Sequence, residues 1–180
     1  MVLPIGPLMV EHRLIERMIA VMKREVQEIE KTGKADPGFI DVAVDFIRSY
    51  ADRCHHGKEE EILFRDLEKK RLEEEHKQIM EELIEEHIWG RKTTRSLVEA
   101  KARYLSGDSQ AIKDIVSLMT DLVGFYPKHI AKEDKVFFKP AMSYFTKAEL
   151  DAMLNEEYEF DKVFIHRLYG DIVSAIESKT

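Results

Sequence analysis

The sequence predicts an all-α protein: a bundle of four long helices in up-down-up-down order, with an additional helix on the C-terminal side. Three observations carry this. Apolar residues recur at helical spacing through most of the 180 residues, and no window alternates in the manner of a strand. Helix-breaking residues are few, five Pro and eight Gly. The long stretches between them are rich in Glu, Lys, Leu, Ile and Met, which are strong helix formers. A chain of this length suits one compact domain able to bury a substantial core without staples.

The first helix is predicted over about Pro7 to Lys31. Its apolar stripe comprises Leu8, Leu14, Ile15, Met18, Ile19, Met22, Val26 and Ile29, and Thr32-Gly33 closes it. Asp36-Pro37 supplies an N-cap followed by proline at the first helical position, and Ile40, Val44, Ile47, Tyr50 and Ala51 continue helix two. The charge-dense run from Glu68 to Lys77 reads as a solvated turn and helix start, because Leu72, Ile79, Met80, Leu83 and Ile84 then reappear at helical spacing. Helix three extends to about Leu105. Gly107-Asp108 marks the next break, and Ile112, Ile115, Val116, Met119, Leu122 and Val123 build helix four, with a kink expected at Pro127 and an end near Pro140. Thr146-Lys147-Ala148-Glu149 is a capping box that opens a fifth helix reaching about Glu177.

Composition excludes several function classes. A formal charge of −7 argues against non-specific nucleic-acid binding, which neutralises phosphates with clustered Lys and Arg. No apolar run approaches the roughly 20 residues that span a bilayer. One cysteine, Cys54, makes no intramolecular disulfide, and the amino terminus lacks the pattern of a signal peptide, so a cytoplasmic protein is expected.

The chemistry lies in a repeat. His55-His56-Gly57-Lys58-Glu59-Glu60 is echoed in register by His129-Ile130-Ala131-Lys132-Glu133-Asp134, each followed by apolar residues. A His and a Glu four apart share one helix face, so each copy offers a nitrogen and an oxygen to one metal ion. Upstream of each copy stands a Glu-His pair, Glu11-His12 on helix one and Glu86-His87 on helix three. His12 lies 43 residues before His55, and His87 lies 42 before His129. Each half is therefore a helical hairpin with three candidate ligands. Two hairpins packed with pseudo-twofold symmetry converge His12, His55, Glu59, His87, His129 and Glu133 on one interior level, a donor set suited to two ions. Spacing does not choose among iron(II), manganese(II) and zinc.

His56 and Glu60 share the same four-residue spacing. Aligning Lys58 with Lys132 and Leu63-Phe64 with Phe137-Phe138 selects His55 and Glu59 instead. His76 and His166 have no repeat counterpart and read as structural. Glu16 reads as solvent-facing, Cys54 as a small buried apolar residue, and Tyr50, Trp89 and Tyr126 as core aromatics. Lys58 and Lys132 are expected to reach solvent or pair with nearby carboxylates.

In these residues the chain resembles the hemerythrin-like, or HHE cation-binding, family over about residues 8–140. The resemblance is carried by Glu11-His12, by His55 and Glu59 with Leu63-Phe64, by Glu86-His87-Ile88-Trp89-Gly90-Arg91, and by His129 and Glu133 with Phe137-Phe138. It implies a bundle holding two iron ions bridged by two carboxylates and an oxo or hydroxo group. It also implies work with oxygen or nitric oxide by binding or sensing, iron handling, or repair chemistry. Oxygen carriers of the family have a further His one turn after the helix-three ligand and an aspartate five after the helix-four His. Here Arg91 takes the first place, and Glu133 matches Glu59 better than Asp134 does. The chain thus resembles the four-His, two-Glu branch. No base, nucleophile or nucleotide fingerprint accompanies the repeat. The alternatives are a di-iron enzyme reducing peroxide or oxygen or repairing iron-sulfur clusters, a ferritin-like carboxylate protein using Glu73 and His76, and a metal-free helical module.

Overall fold

A computed structural model describes residues 2–161 and 164–178, without the side chains of residues 164, 165 and 167. All regular structure among them is helical: α1 (Ile5–Thr32), α2 (37–67), α3 (Glu74–Leu105), α4 (111–142), α5 (Lys147–Asp161) and α6 (Phe164–Glu177). The first four form the up-down-up-down bundle, with α4 packed against both α1 and α3. No helix among the described residues is long and apolar enough to cross a membrane.

The predicted punctuation acts as expected. Gly33 adopts φ 68° and returns its N–H to the Ile29 carbonyl, the left-handed stop that glycine takes without a Cβ penalty. Asp36 caps α2 by accepting from the N–H groups of Gly38 and Phe39. Thr146 and Glu149 exchange reciprocal hydrogen bonds at the start of α5.

The helix runs unbroken through Pro127, where one missing N–H is outweighed by the packing of buried Met119, Leu122, Tyr126 and Ile130 around it. It ends at Met142, near Pro140 as predicted. One element differs. The single helix predicted to Glu177 is described as α5 and α6, and its junction at residues 162–163 lies outside the described residues.

Three stretches have i→i+5 hydrogen bonding: Ile47–His56 and Glu59–Phe64 within α2, and Glu133–Phe137 within α4. The second and third lie within the two copies of the repeat, and the first runs into the start of the first copy. Widened turns advance each residue by less than the α-helical angle of about 100°, so sequence neighbours share a face that a regular helix would divide between them.

The apolar core falls into two masses. The larger joins Ile15–Ile29 of α1, Ile40–Ala51 of α2, Leu97 and Ala100, Ile115–Ile130, and Tyr169 and Val173 of α6. The smaller joins Ile5 and Leu8, Ile62–Leu67, Met80 and Leu83, Phe137–Met142, and Leu150 and Met153 of α5. Each of the four bundle helices crosses from one mass to the other. The polar residues of the repeat lie at the crossing, as a layer closed above and below by hydrocarbon.

Candidate metal centre

All six predicted ligands lie in this layer and are essentially inaccessible to solvent. His12 and His55 come together with Glu59 and Glu133, their donor atoms all within 4.8 Å of one another. The carboxylates have one oxygen toward each side. Glu59 lies 3.5 Å from His55 Nε2 through Oε1 and 3.4 Å from His87 Nε2 through Oε2. Glu133 lies 3.1 Å from His12 Nε2 through Oε2 and 3.2 Å from His129 Nε2 through Oε1. Each carboxylate thus stands between two imidazoles, with one oxygen toward each.

The donor atoms face inward toward one another without hydrogen bonds. Nε2 of His12, His87 and His129 and both oxygens of Glu59 and Glu133 are buried and make no hydrogen bond. Leaving a buried polar group unsatisfied costs about 1–3 kcal/mol each, and more for charged groups, so a cluster of this size calls for a cation. In its absence the two carboxylates diverge. Burial and the charge of Glu133 push the Glu59 carboxyl well above its ordinary range, whereas the surrounding imidazoles overcome burial and pull Glu133 well below it. Burial disfavours the charged form of His12, but Asp134 and Glu133 outweigh it and raise that imidazole to about 9.

A second set of carboxylates fixes the rings. Nδ1 of His12 donates to Asp134 (2.8 Å), His55 to Glu11 (2.8 Å), His87 to Glu60 (2.6 Å) and His129 to Glu86 (2.7 Å). An ionised carboxylate only accepts. Burial raises Glu11, Glu60 and Glu86, yet their His and cationic partners outweigh it and hold all three below the ordinary value. Each Nδ1 therefore keeps its proton, and Nε2 is the nitrogen that faces inward, where a bound cation would take the place of any proton it carries.

Each outer carboxylate is held in turn by a cation: Asp134 by Arg13, Glu11 by Lys58, Glu60 by Arg91 and Glu86 by Lys132. The bonds run α1 to α2, α2 to α3, α3 to α4 and α4 to α1. Every position of H-x-x-K-E-acid thus has a task. His and Glu face the centre, Lys holds the Glu of the neighbouring Glu-His pair, and the last acid orients the neighbouring His.

Lys58 pairs with carboxylates, the second of its two expected fates, and does so away from solvent. It is wholly buried, held by Glu11 and by Asp161 of α5 at 2.5 Å, because α5 packs over this part of α2 and removes the route to water. Gly57 permits that approach: a Cβ there would lie 3.0 Å from the Phe160 ring, and the second copy, uncovered, has Ala131. Cys54 and His166 hydrogen-bond Asp161 as well, and His166 also bonds the Tyr50 hydroxyl. This third group of potential ligands already has its positive charge in Lys58. His76 bonds the Tyr144 hydroxyl, and Glu16 pairs with Arg13, both away from the centre.

Glu157 of α5 is buried and unpartnered. Burial foremost, opposed by Lys58 and aided by Glu11 and Asp161, pushes its carboxyl up to about 8. The stability that comes from holding this proton is complete below the unfolded value near 4.5 and is lost as pH rises through about 8. Glu157→Gln keeps the neutral shape. Its urea midpoint should be close to the parent's at pH 5 and exceed it at pH 8, by the equivalent of about 2–4 kcal/mol. A difference that does not change between the two pH values would contradict this.

One residue that the repeat alignment set aside also lies in the layer. His56 is buried, its ring stacks on His87 with centroids 3.8 Å apart, and neither of its nitrogens makes a hydrogen bond. Its donor atoms come within 4.8 Å of those of His87 and His129. Beside it opens a cavity of about 350 Å³, lined by His56, His87 and Tyr126 and by the surface residues Arg48, Arg91 and Arg95.

Residues 3–139 match the family model described as the hemerythrin HHE cation binding domain. No curated protein and no solved structure matches the chain. The family match runs through the four bundle helices and takes in all six inward-facing residues, and the chain belongs to the hemerythrin HHE cation-binding family.

Proposed function

We propose that the chain is one hemerythrin-like domain, working in the reducing cytoplasm, that holds two iron ions. His12 and His55 would serve one ion, His87 and His129 the other, and Glu59 and Glu133 both. There it binds or senses oxygen or nitric oxide, or handles iron. The observation that carries the reading is the set of buried, unpartnered Nε2 and carboxylate oxygen atoms converging on one layer. Mixed imidazole and carboxylate donors suit iron(II), and equally manganese or zinc; family membership favours iron. The bound iron pair supplies redox activity and a position that accepts a small ligand. The chain's own residues aim four imidazoles through their Nδ1 hydrogen bonds, balance the charge with two carboxylates, and exclude water through the two apolar masses.

The test is optical. Reduced protein loaded with iron(II) should change its absorption when oxygen or nitric oxide is admitted; an unchanged spectrum with both gases, at full iron occupancy, would overturn the reading. The cavity beside His56 and His87, lined by three arginines and larger than a diatomic requires, supports a second reading as an enzyme that reduces peroxide or oxygen or repairs iron-sulfur clusters. Peroxide turnover that disappears in Glu133→Ala would favour that reading for peroxide, and its absence in the iron-loaded parent would remove it.

A further inference from the structure

We propose that His56 is a fifth imidazole ligand of the centre. It stands in for the helix-three His that Arg91 replaces, so that His56, His87 and His129 serve one ion while His12 and His55 serve the other. The inference rests on the two-ion reading above and sharpens it.

Three independent features support it. First, His56 is a polar side chain in a place where the fold accepts hydrocarbon: its counterpart in the second copy is Ile130, equally buried. A structural His at such a depth normally bonds through at least one nitrogen, and this one bonds through neither. Second, its position is convergent. His56, His87 and His129 form a set of their own whose donor atoms lie within 4.8 Å of one another, on the side of Glu59 and Glu133 opposite His12 and His55. The widened turn of Ile47–His56 is what allows His55 and His56 to face the same layer. Third, His56 has the beginnings of the outer arrangement seen at the other four imidazoles. Asp52, one turn earlier, lies 3.5 Å from its Nδ1, and Arg91 holds that carboxylate at 2.7 Å together with Glu60, the acceptor for His87. The residue occupying the lost ligand position is thus the cation that holds the carboxylates behind His56 and His87.

The test is a metal titration of the apoprotein, using cobalt(II) under anaerobic conditions and read by calorimetry and by the visible bands of the ion. The parent should bind two ions per chain. His56→Ala should bind one with parental affinity and the other at least about tenfold more weakly, with loss of band intensity. Free imidazole, entering through the adjoining cavity, should restore part of both. His56→Gln, which keeps the core filled, covers the case in which the alanine variant does not fold, and His76→Ala should behave as the parent. Two ions bound with parental affinity and spectrum by a folded His56 variant would overturn the assignment while leaving the six-residue centre intact. Fewer than two ions bound by the parent would instead remove the two-ion reading, and this inference with it.

Discussion

Glu59→Gln is expected to abolish the stabilisation of this protein by metal while leaving the apoprotein as stable as the parent. In the metal-free protein burial and Glu133 keep Glu59 protonated, and glutamine has the same shape and neutrality, so the fold should change by less than about 1 kcal/mol. The ions are another matter, because Glu59 faces both ligand groups and its loss removes an anionic oxygen from each. At a metal concentration a thousand times the dissociation constant, the parent gains about 4 kcal/mol. For a domain of this size that corresponds to roughly 8–16 °C in melting temperature. The variant should gain almost none. Thermal melts of both proteins with and without iron(II) or zinc decide the matter. A parental metal-induced rise in Glu59→Gln would show that this carboxylate is not shared between the ions.

The second large effect separates two lysines that the sequence makes equivalent. Lys58→Ala leaves Glu11 buried without its cation, and Asp161 loses the same partner, so a cost of about 3–5 kcal/mol is expected. Lys132 makes the matching bonds to Glu86 and Glu82, but it is 27% exposed and water can replace it, so Lys132→Ala should cost no more than about 1 kcal/mol. Urea unfolding of the two apoproteins measures both. Equal costs would mean that α5 does not seal Lys58 as the structure describes.

The four bundle helices, their order, their caps and the six inward residues were legible because each rests on local periodicity or on a repeat. Gly33 stops α1 and Asp36 starts α2 through their own backbone preferences. The ligand register followed from aligning two copies, and the same alignment hid His56: symmetry argued for discarding whatever Ile130 did not match. No local pattern announces a widened turn, which depends on packing around the centre, so the sharing of one face by His55 and His56 was illegible. The burial of Lys58 was hidden for a related reason. It depends on α5, a helix outside the repeat, lying over only one copy; the sole trace in the sequence is Gly57 where the other copy has Ala131. The outer carboxylates were half visible, since Glu11, Glu86, Glu60 and Asp134 stand in matched places, but only the crossing of helices shows which ring each one holds.

That one-sided cover makes the two ends of a symmetric motif chemically unequal. Behind His55, the chain Glu11–Lys58–Asp161 is roofed by α5, leaving little room for anything to enter or leave. Beside His56 and His87, an arginine-lined cavity reaches the surface. A small molecule or a departing ion meets a wall at one end and an anteroom at the other. On the two-ion reading proposed above, traffic with the surroundings would belong to the ion nearer His87 and His129, and its neighbour would serve as the fixed member of the pair.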